Sequence, residues 1–504
     1  MPKFNAIGNE PMSYALFPDN KGLFYSHVTF MIMAFWILMP IGIMMGLAKS
    51  NFHIPIQILV FVVSLFGFLF GRLYGHATPR LYTGNIHHSM GWIIFTLLNF
   101  QLTAGAARKW IKAIQKPKIH QYETIGLMEN SEPLESPPTP SRSQILTSKT
   151  ILHANEDNHQ DVFDSDSFNL TDEDPVHFSR FIKNTPVATI ARNPIINAFC
   201  RTYHYYMSKI FVLLLFTQTI SGYVVYHGVC QSWEIFGCIT HLIKGGIFFF
   251  YGLVTFARYM GAFSGRGWAW NYVKGGSRFS CEMMECGLIF IYGIANTWME
   301  HFGQDVAWSH KSLEHISLAF MYWWAGLLGI FVESRAVRRV VENALPELPY
   351  EPAPVTENED TTNFNPIPVL TIFMTGISMG NHHQDSLYYS RAHYFCGLLI
   401  SAAAVCRMMT YISMFRNPPK TKVPTRPPSE LLVAFLLTCG AILFMASNQG
   451  TMLWLRRNGT DFMFLLNVTV SLTGMVLSYV AFLILLKSWA TNRERAKAKQ
   501  VLAK

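Results

Sequence analysis

The clearest feature of the chain is a series of long apolar runs, each close to the length that a helix needs to cross a bilayer. A transmembrane helix requires about 20 mostly apolar residues. Eleven runs approach or reach that length, at 27–47, 53–75, 86–106, 204–226, 235–257, 280–300, 313–333, 366–382, 390–414, 430–450 and 462–486. The pattern predicts an all-α, multi-pass membrane protein with about eleven transmembrane helices. Pro366 and Pro368 open the short run at 366–382, so that run is either a full crossing or a re-entrant segment.

One polar stretch divides this pattern into parts. Residues 107–194 are acidic, rich in serine and proline, and without helical periodicity. Such a composition cannot bury enough apolar surface to fold, so it predicts a disordered, acidic cytosolic linker. On either side of it, residues 1–106 and 195–228 form a four-helix module. Residues 229–504 form a second, histidine-rich multi-pass domain. The sequence contains no soluble domain large enough for flavin or nicotinamide binding and no glycine-rich phosphate motif.

The basic residues predict how the chain is oriented. The net charge is +9, and lysine and arginine are concentrated after the third, fifth, seventh and ninth runs and in the C-terminal tail. With eleven crossings these clusters all lie on one side, which the positive-inside rule makes cytosolic. We therefore expect the N-terminus outside or in a lumen and the C-terminus in the cytosol, in an endomembrane (ER, Golgi or vacuole) or the plasma membrane. Because the charge is spread over loops, the expected partner is the lipid bilayer and no nucleic acid is expected.

Two features of the expected outer side are modification sites. Asn458 opens the sequon Asn458-Gly459-Thr460 before the last run and is a predicted glycosylation site. Cys230 and Cys238 flank the outer loop after the fourth run, where an oxidising compartment would allow them to form a disulfide.

Histidines open four successive helices of the N-terminal module: His27, His53, His87 and His204. Because successive helices alternate in direction, His27 and His87 (or its neighbour His88) share one leaflet, and His53 and His204 share the other. Two histidine pairs, one in each leaflet, are the arrangement that holds two b-type hemes across a membrane. His87 and His88 point about 100° apart on a helix, so only one of them faces the bundle.

The residues around these histidines resemble those of the cytochrome b561 family of diheme membrane cytochromes. The resemblance covers about 27–106 and 200–226, and it rests on His27 with Trp36, Pro40 and Gly42, and on His87-x-x-x-Gly91 with Gln101 and Gly105. His204 is followed by Ser208-Lys209 where that family has Gly-Arg. The family spacing to Gly91 favours His87 over His88. As a whole the chain resembles the Ytp1-like family of fungal membrane proteins, which joins such a module to a second histidine-rich membrane domain.

A second group of polar residues lies at the expected outer ends of the fifth to ninth helices. Its members are His241, Glu300, His301, Glu314, His315, His382, His383 and His393. A charged residue at membrane depth costs about 2.5–3.5 kcal/mol on insertion scales, so such a gathering suggests function. Histidine and carboxylate ligands without cysteine favour Zn²⁺ or non-heme iron over Cu(I). The alternative is a set of interfacial Glu–His pairs that hydrogen-bond to each other and to water.

Two functional hypotheses follow. In the first, the protein is a diheme electron-transfer protein, a transmembrane b-type cytochrome reductase that carries electrons from a cytosolic small-molecule donor to an outer acceptor such as ferric iron. The resemblance implies ascorbate as the donor. In the second, no heme binds, and the chain is a metal or proton transporter or sensor that uses the outer histidine–glutamate cluster.

Overall fold

A computed structural model describes residues 13–115, 193–231, 235–273, 279–299, 310–344, 364–382, 384 and 386–502 of the chain. The secondary structure of these residues is helical, and they contain no β-strand. The predicted all-α fold class is therefore confirmed. Helices are the expected solution for apolar spans, since a helix satisfies its backbone hydrogen bonds within a single segment.

The N-terminal module consists of four helices. They are α1 (Lys21–Leu47), α2 (His53–Ala77), α3 (His87–Gln115) and α4 (Pro194–His227). Within α1, residues Met33–Leu38 are π-helical just before Pro40, which has no N–H to continue the regular hydrogen-bond ladder. All four helices contribute to one apolar core, made of Met39, Val60, Ile94, Leu98, Phe211 and Leu215.

Nine further helices follow. They are α5 (Ile235–Tyr259), α6 (Cys281–Met299), α7 (His310–Glu333), α8 (Arg335–Asn343), α9 (Ile367–Asn381), α10 (Leu387–Arg416), α11 (Pro428–Ala446), α12 (Gln449–Arg457) and α13 (Phe462–Leu502). Among the long helices, α5 packs on α11, α11 on α10, α10 on α9, α9 on α7, and α7 on α6. Glycines lie in several of these interfaces and let the backbones approach closely, as is common in membrane bundles.

Each of the eleven predicted runs coincides with one of these helices. Eight helices in the described part of the chain are long and apolar enough to cross a membrane. The exact number of crossings remains a prediction. Helix α9 is apolar but has only 15 residues, and about 1.5 Å per residue gives it about 22 Å, less than the roughly 30 Å hydrocarbon core. The choice between a crossing and a re-entrant segment therefore stays open for α9.

The predicted linker at 107–194 begins later than expected, because α3 continues to Gln115. The apolar run carries the helix about two turns into the basic residues that follow it. Helix α4 begins at Pro194, and residues 116–192 lie outside the described residues.

By compactness the chain divides into two units. One contains Met1–Val28, Phe68–His88 and Thr217–Trp489, and the other contains Thr29–Gly67, Ser89–Phe216 and Ala490–Lys504. This division differs from the three sequence parts, because its boundaries fall inside α1, α2, α3, α4 and α13.

Candidate functional site

Two of the four histidines of the N-terminal module begin their helices as expected, whereas His27 lies nearly two turns into α1 and His204 nearly three turns into α4, because these helices start before their apolar runs. His53 and His87 are the first residues of α2 and α3, and all four side chains are half-buried. His88 is exposed. The structure therefore directs His87, and not its neighbour, into the protein.

Each of these histidines packs against a glycine of a neighbouring helix. A Cβ added to the glycine would lie closer to the imidazole ring than ordinary van der Waals contact, so a larger residue would fit only if the histidine moved. The pairs, with the distance from the ideal glycine Cβ position to the nearest ring atom, are His27–Gly71 (2.6 Å), His53–Gly46 (2.8 Å), His87–Gly222 (3.0 Å) and His204–Gly105 (3.3 Å). The pattern is reciprocal, since α1 and α2 exchange one histidine–glycine contact each way, and so do α3 and α4.

The same histidines and glycines also recur at a nearly fixed spacing within each helix. In α2, α3 and α4 the glycine follows the histidine of its own helix by 18 positions (53 to 71, 87 to 105 and 204 to 222), and in α1 by 19 (27 to 46). Eighteen residues are five turns of an α-helix, so the two residues lie on the same face, about 27 Å apart along the helix axis. This spacing is visible in the sequence alone.

Hydrogen bonds fix the orientation of two imidazole rings. His53 Nδ1 lies 2.8 Å from the carbonyl oxygen of Gly42, so Nδ1 donates and Nε2 keeps its lone pair. His87 Nδ1 lies 2.9 Å from Ser221 Oγ, and the Gln218 side chain donates to the His87 carbonyl oxygen at 3.0 Å. Both α4 residues hold His87 beside Gly222.

Each compact unit contains one of the two predicted histidine pairs. His27 and His87 belong to the first unit, together with Gly71 and Gly222, and the charges of the two imidazoles are close enough to interact. His53 and His204 belong to the second unit, with Gly46 and Gly105. In that unit the Gln101 amide donates to the His204 carbonyl oxygen at 3.2 Å.

In the outer cluster, His241 of α5 and His393 of α10 face each other, with their Nε2 atoms 3.2 Å apart. Each Nδ1 is near a carbonyl oxygen one turn earlier, at 2.7 Å from Gly237 O and 3.1 Å from Tyr389 O respectively. A carbonyl oxygen only accepts, so both Nδ1 atoms carry hydrogen. In the neutral rings both facing Nε2 atoms are then lone-pair acceptors. The two lone pairs repel each other, and a cation between them would attract both.

The remaining described members of the outer cluster form an adjoining group. His382, which caps the C-terminus of α9, makes an ion-pair contact of 2.7 Å between its Nδ1 and Glu314 Oε2 of α7. The His315 and His382 rings are 5.0 Å apart, and His315 interacts electrostatically with His241. Glu300, His301 and His383 lie outside the described residues. Among the described residues, no three histidine, cysteine or acidic side chains form a group able to hold a metal ion.

Sequence reasoning missed a third polar group, five buried charges near the ends of α5, α6, α10 and α11. They are Arg258, Glu282, Glu285, Arg407 and Glu430. The topology argument counted Arg258 as a loop residue, but its side chain is only 3% exposed. The available signal was the presence of Glu282, Glu285 and Arg407 inside apolar runs, where charged residues are rare unless they have a role.

The structure also describes the two predicted modification sites. A disulfide bond joins Cys230 and Cys238, whose Cα atoms are 5.6 Å apart, within the usual range for a cystine. Asn458 is exposed at the C-terminal end of α12, and its side chain donates to the Trp454 carbonyl oxygen at 2.8 Å.

Comparison with known proteins gives matches over both halves of the chain. Residues 214–488 match a family model described as "Protein YTP1-like, C-terminal", and residues 9–110 match one described as "Domain of unknown function (DUF2427)". No solved structure matches the chain.

Full-length relatives are membrane proteins of two yeasts. The chain is 33% identical to "Uncharacterized membrane protein C3B8.06" of Schizosaccharomyces pombe over 97% of this chain and 99% of the relative. It is 25% identical to "Uncharacterized membrane protein YCR061W" of Saccharomyces cerevisiae over 94% of this chain and 83% of the relative. "Protein YTP1" of the same yeast is 24% identical over 51% of this chain and 48% of its own length.

Proposed function

Because the chain belongs to the YTP1-like family of multi-pass membrane proteins, we propose that its N-terminal module is a diheme electron carrier. One observation carries this proposal: each of the four histidines of the module, one on each of α1 to α4, packs against a glycine of a neighbouring helix. A bundle that needs only apolar packing does not require four such histidine–glycine contacts. A bundle that binds heme would require them, because the flat macrocycle and its histidine ligands need the space that the glycines leave.

The residues present fit two b-type hemes. His27 with His87, and His53 with His204, would each supply two axial imidazoles, the ligation typical of electron transfer. When bound, heme supplies reversible one-electron chemistry. The protein orients the ligands, since the Gly42 carbonyl fixes Nδ1 of His53 as the donor and leaves Nε2 for iron. The apolar core of Met39, Val60, Ile94 and Phe211 keeps water out of the space between the helices.

The alternating helix directions predict one histidine pair in each leaflet, and this prediction suggests a path across the membrane. We propose transfer from a cytosolic small-molecule donor to an outer acceptor, as in a transmembrane b-type cytochrome reductase. The resemblance of the module to the cytochrome b561 family supports this direction. Ascorbate as donor and ferric iron as acceptor are the specific candidates.

A reduced-minus-oxidised absorption spectrum of the purified full-length protein tests the proposal. We expect two b-type hemes per chain. His53→Ala should remove one of them and leave the His27/His87 site spectrally intact. The matched control is His76→Ala, because His76 lies on the same helix and is exposed. Equal loss from both sites in His53→Ala, or normal heme content in the double variant His53→Ala/His204→Ala, would refute the pairing.

A second candidate function rests on the facing nitrogens of His241 and His393. We propose that the outer cluster binds a cation there, which is Zn²⁺, non-heme iron or a proton. The 3.2 Å between the two Nε2 atoms is near the separation of about 3.3 Å that two ligands at about 2.0–2.1 Å make on a tetrahedral ion. His315, His382 and Glu314 are the nearest further ligands.

Metal analysis of the purified protein tests this second function. If the cation is a metal, His315→Ala and His393→Ala should each lower the bound metal and leave heme content unchanged. Wild-type metal content in the double variant His315→Ala/His393→Ala would refute a metal site. A protein that binds no metal from added Zn²⁺ or Fe²⁺ would leave the proton as the cation.

A further inference from the structure

The five buried charges near the ends of α5, α6, α10 and α11 form a linear chain in which acidic and basic groups alternate. Its order is Glu282, Arg258, Glu285, Arg407 and Glu430. The shortest nitrogen–oxygen distances along it are 3.7, 3.4, 3.5 and 2.8 Å. The side chains are 12, 3, 9, 2 and 0% exposed in the same order. This charge chain therefore lies almost wholly out of contact with solvent.

Both guanidinium groups of the charge chain are held in place by their surroundings. The ring of Trp270 lies 4.8 Å from the Arg258 guanidinium and 5.4 Å from that of Arg407. Arg258 Nε also donates to the Trp268 carbonyl oxygen at 2.7 Å, and Arg407 Nη2 donates to Thr255 Oγ1 at 3.1 Å. Arginine does not lose its proton in proteins, so the two positive charges are permanent and fixed in position.

The charge chain contains three carboxyl groups for these two guanidinium groups. If all three carboxyls were ionised, the buried group would carry one uncompensated negative charge, which is strongly unfavourable away from water. Among the described residues, the tyrosines and cysteines that interact with the charge chain are Tyr251, Tyr411, Cys281, Cys286 and Cys406. They are neutral at physiological pH and do not balance it. Nearby Glu333 pairs with Arg338 at 3.9 Å.

The three carboxyls differ in how firmly they are paired. Glu285 contacts both guanidinium groups and also accepts from Cys281 Sγ at 3.7 Å. Glu430 has the shortest contact of the charge chain, 2.8 Å to Arg407. Glu282 contacts a single guanidinium group, and that contact is the longest of the charge chain at 3.7 Å. A proton is therefore held most easily on Glu282.

The buried oxygen atoms support the same assignment. Glu285 Oε2 is buried and has no hydrogen-bond donor in good geometry among the described residues, and the same is true of both Glu430 oxygens, which Arg407 faces as an ion pair. Glu282 precedes Glu285 by three residues, so both lie on one face of α6. A proton on Glu282 would give Glu285 the donor that its second oxygen needs, and would remove the repulsion between two neighbouring carboxylates.

From this geometry we propose that Glu282 is a proton-binding site, which takes up and releases one proton while Arg258, Glu285, Arg407 and Glu430 stay charged. Its partial exposure connects it to the membrane face at which α6 begins, which the topology prediction makes cytosolic. This site is separate from the histidine sites and stands whether or not heme binds. It gives the C-terminal domain a place where proton uptake can be linked to electron or ion movement.

Labelling with dicyclohexylcarbodiimide tests the proposal on the full-length protein in membranes. This apolar reagent adds to a carboxyl that carries its proton and rearranges to a stable N-acylurea, with no leaving group. We expect mass spectrometry to find the label on Glu282, and the label to decrease as pH rises. It should disappear in Glu282→Gln, a neutral isostere that keeps the fold, and stay unchanged in Glu494→Gln, which alters an ion pair with Lys497 on α13.

A second variant tests the charge count directly. Glu430→Gln leaves two carboxyls for two guanidinium groups, so Glu282 no longer needs its proton. We expect its labelling to fall markedly at neutral pH. Label on Glu430 instead of Glu282 in the wild type, absence of label on Glu282 at every pH, or full labelling of Glu282 in Glu430→Gln would each overturn the proposal.

Discussion

At the scale of single residues, the N-terminal module depends on the glycines that face the histidines as much as on the histidines themselves. Gly71 faces His27, whereas Gly75, one turn later on α2, has nothing within 4 Å of its ideal Cβ position. Both glycines lie on α2, one turn apart, and only Gly71 contacts an imidazole. They therefore separate the effect of space at the site from the effect of a glycine in a helix.

Substitution of these two glycines gives a first prediction. Gly71→Leu should displace the His27 ring and remove the heme of the His27/His87 site, while the other site keeps its heme. Gly75→Leu should leave both hemes in place. Heme content per chain, measured by absorbance, checks the difference. The same loss in both variants would mean that glycine in α2 serves general packing and not the site.

A second residue-scale prediction concerns the pair of Arg407 and Glu430. Glu430 is 0% exposed, and Arg407 Nε lies 2.8 Å from its Oε1. Arg407→Gln leaves that carboxyl without its partner, which typically costs about 3–5 kcal/mol in the free energy of unfolding. Thermal unfolding in detergent should show a clear drop in the melting temperature. Arg495→Gln, at an exposed position of α13, should not change it, and a similar drop there would contradict the burial argument.

At the scale of helices, the C-terminal domain relies on backbone-to-backbone contact between small residues. A Cβ added to Gly397 of α10 would meet backbone atoms of Gly376 and Gly380 in α9, so it would push these two helices apart. Gly287 of α6 has nothing within 4 Å of its ideal Cβ position. The apolar character of α9 and α10 allows many pairings, and the glycines select this one.

The third prediction compares alanine at these two positions. Gly397→Ala should destabilise the protein by about 1–3 kcal/mol, the usual penalty for overpacking. Gly287→Ala should be neutral or slightly stabilising, since alanine is the better helix former by up to about 1 kcal/mol. Melting temperatures in one detergent check both. Tolerance of Gly397→Ala would show that α9 moves freely against α10, as a loosely held re-entrant segment would.

At the scale of the whole molecule, the orientation in the membrane still rests on loop charges. Burial of Arg258 removes one residue from the count of cytosolic positive charges. The remaining basic residues after α5, within α8 and after α10 keep the same bias, and Arg456 and Arg457 on α12 oppose it. Charge alone therefore favours a cytosolic C-terminus, and the sequon at Asn458 provides an independent test.

The fourth prediction is that Asn458 carries an N-linked glycan. Endoglycosidase treatment should shift the mobility of the full-length protein, and Asn458→Gln should abolish that shift. A second sequon, Asn169-Leu170-Thr171, lies in the expected cytosolic linker, so Asn169→Gln should change nothing. A glycan on Asn169 instead would invert the topology and place His27 and His87 on the cytosolic side.

The sequence by itself determined the helices and the candidate histidines. In a membrane each apolar run must satisfy its own backbone hydrogen bonds, so helix formation depends on local composition and is visible in the runs. The repeated 18-residue spacing between histidine and glycine is equally local, because both residues belong to one helix. The same holds for the all-α class, which the described residues confirm.

Only the tertiary structure decided which side chains meet. The sequence shows Arg407 and Glu430 as isolated charges in apolar runs, and His241 and His393 as isolated histidines 152 positions apart. Their contacts depend on the rotation of each helix about its axis and on its choice of neighbours. Those two variables are set by packing of small residues such as Gly397 against other helices, and not by any property of the run itself. The choice of His87 over His88 follows from the same rotation.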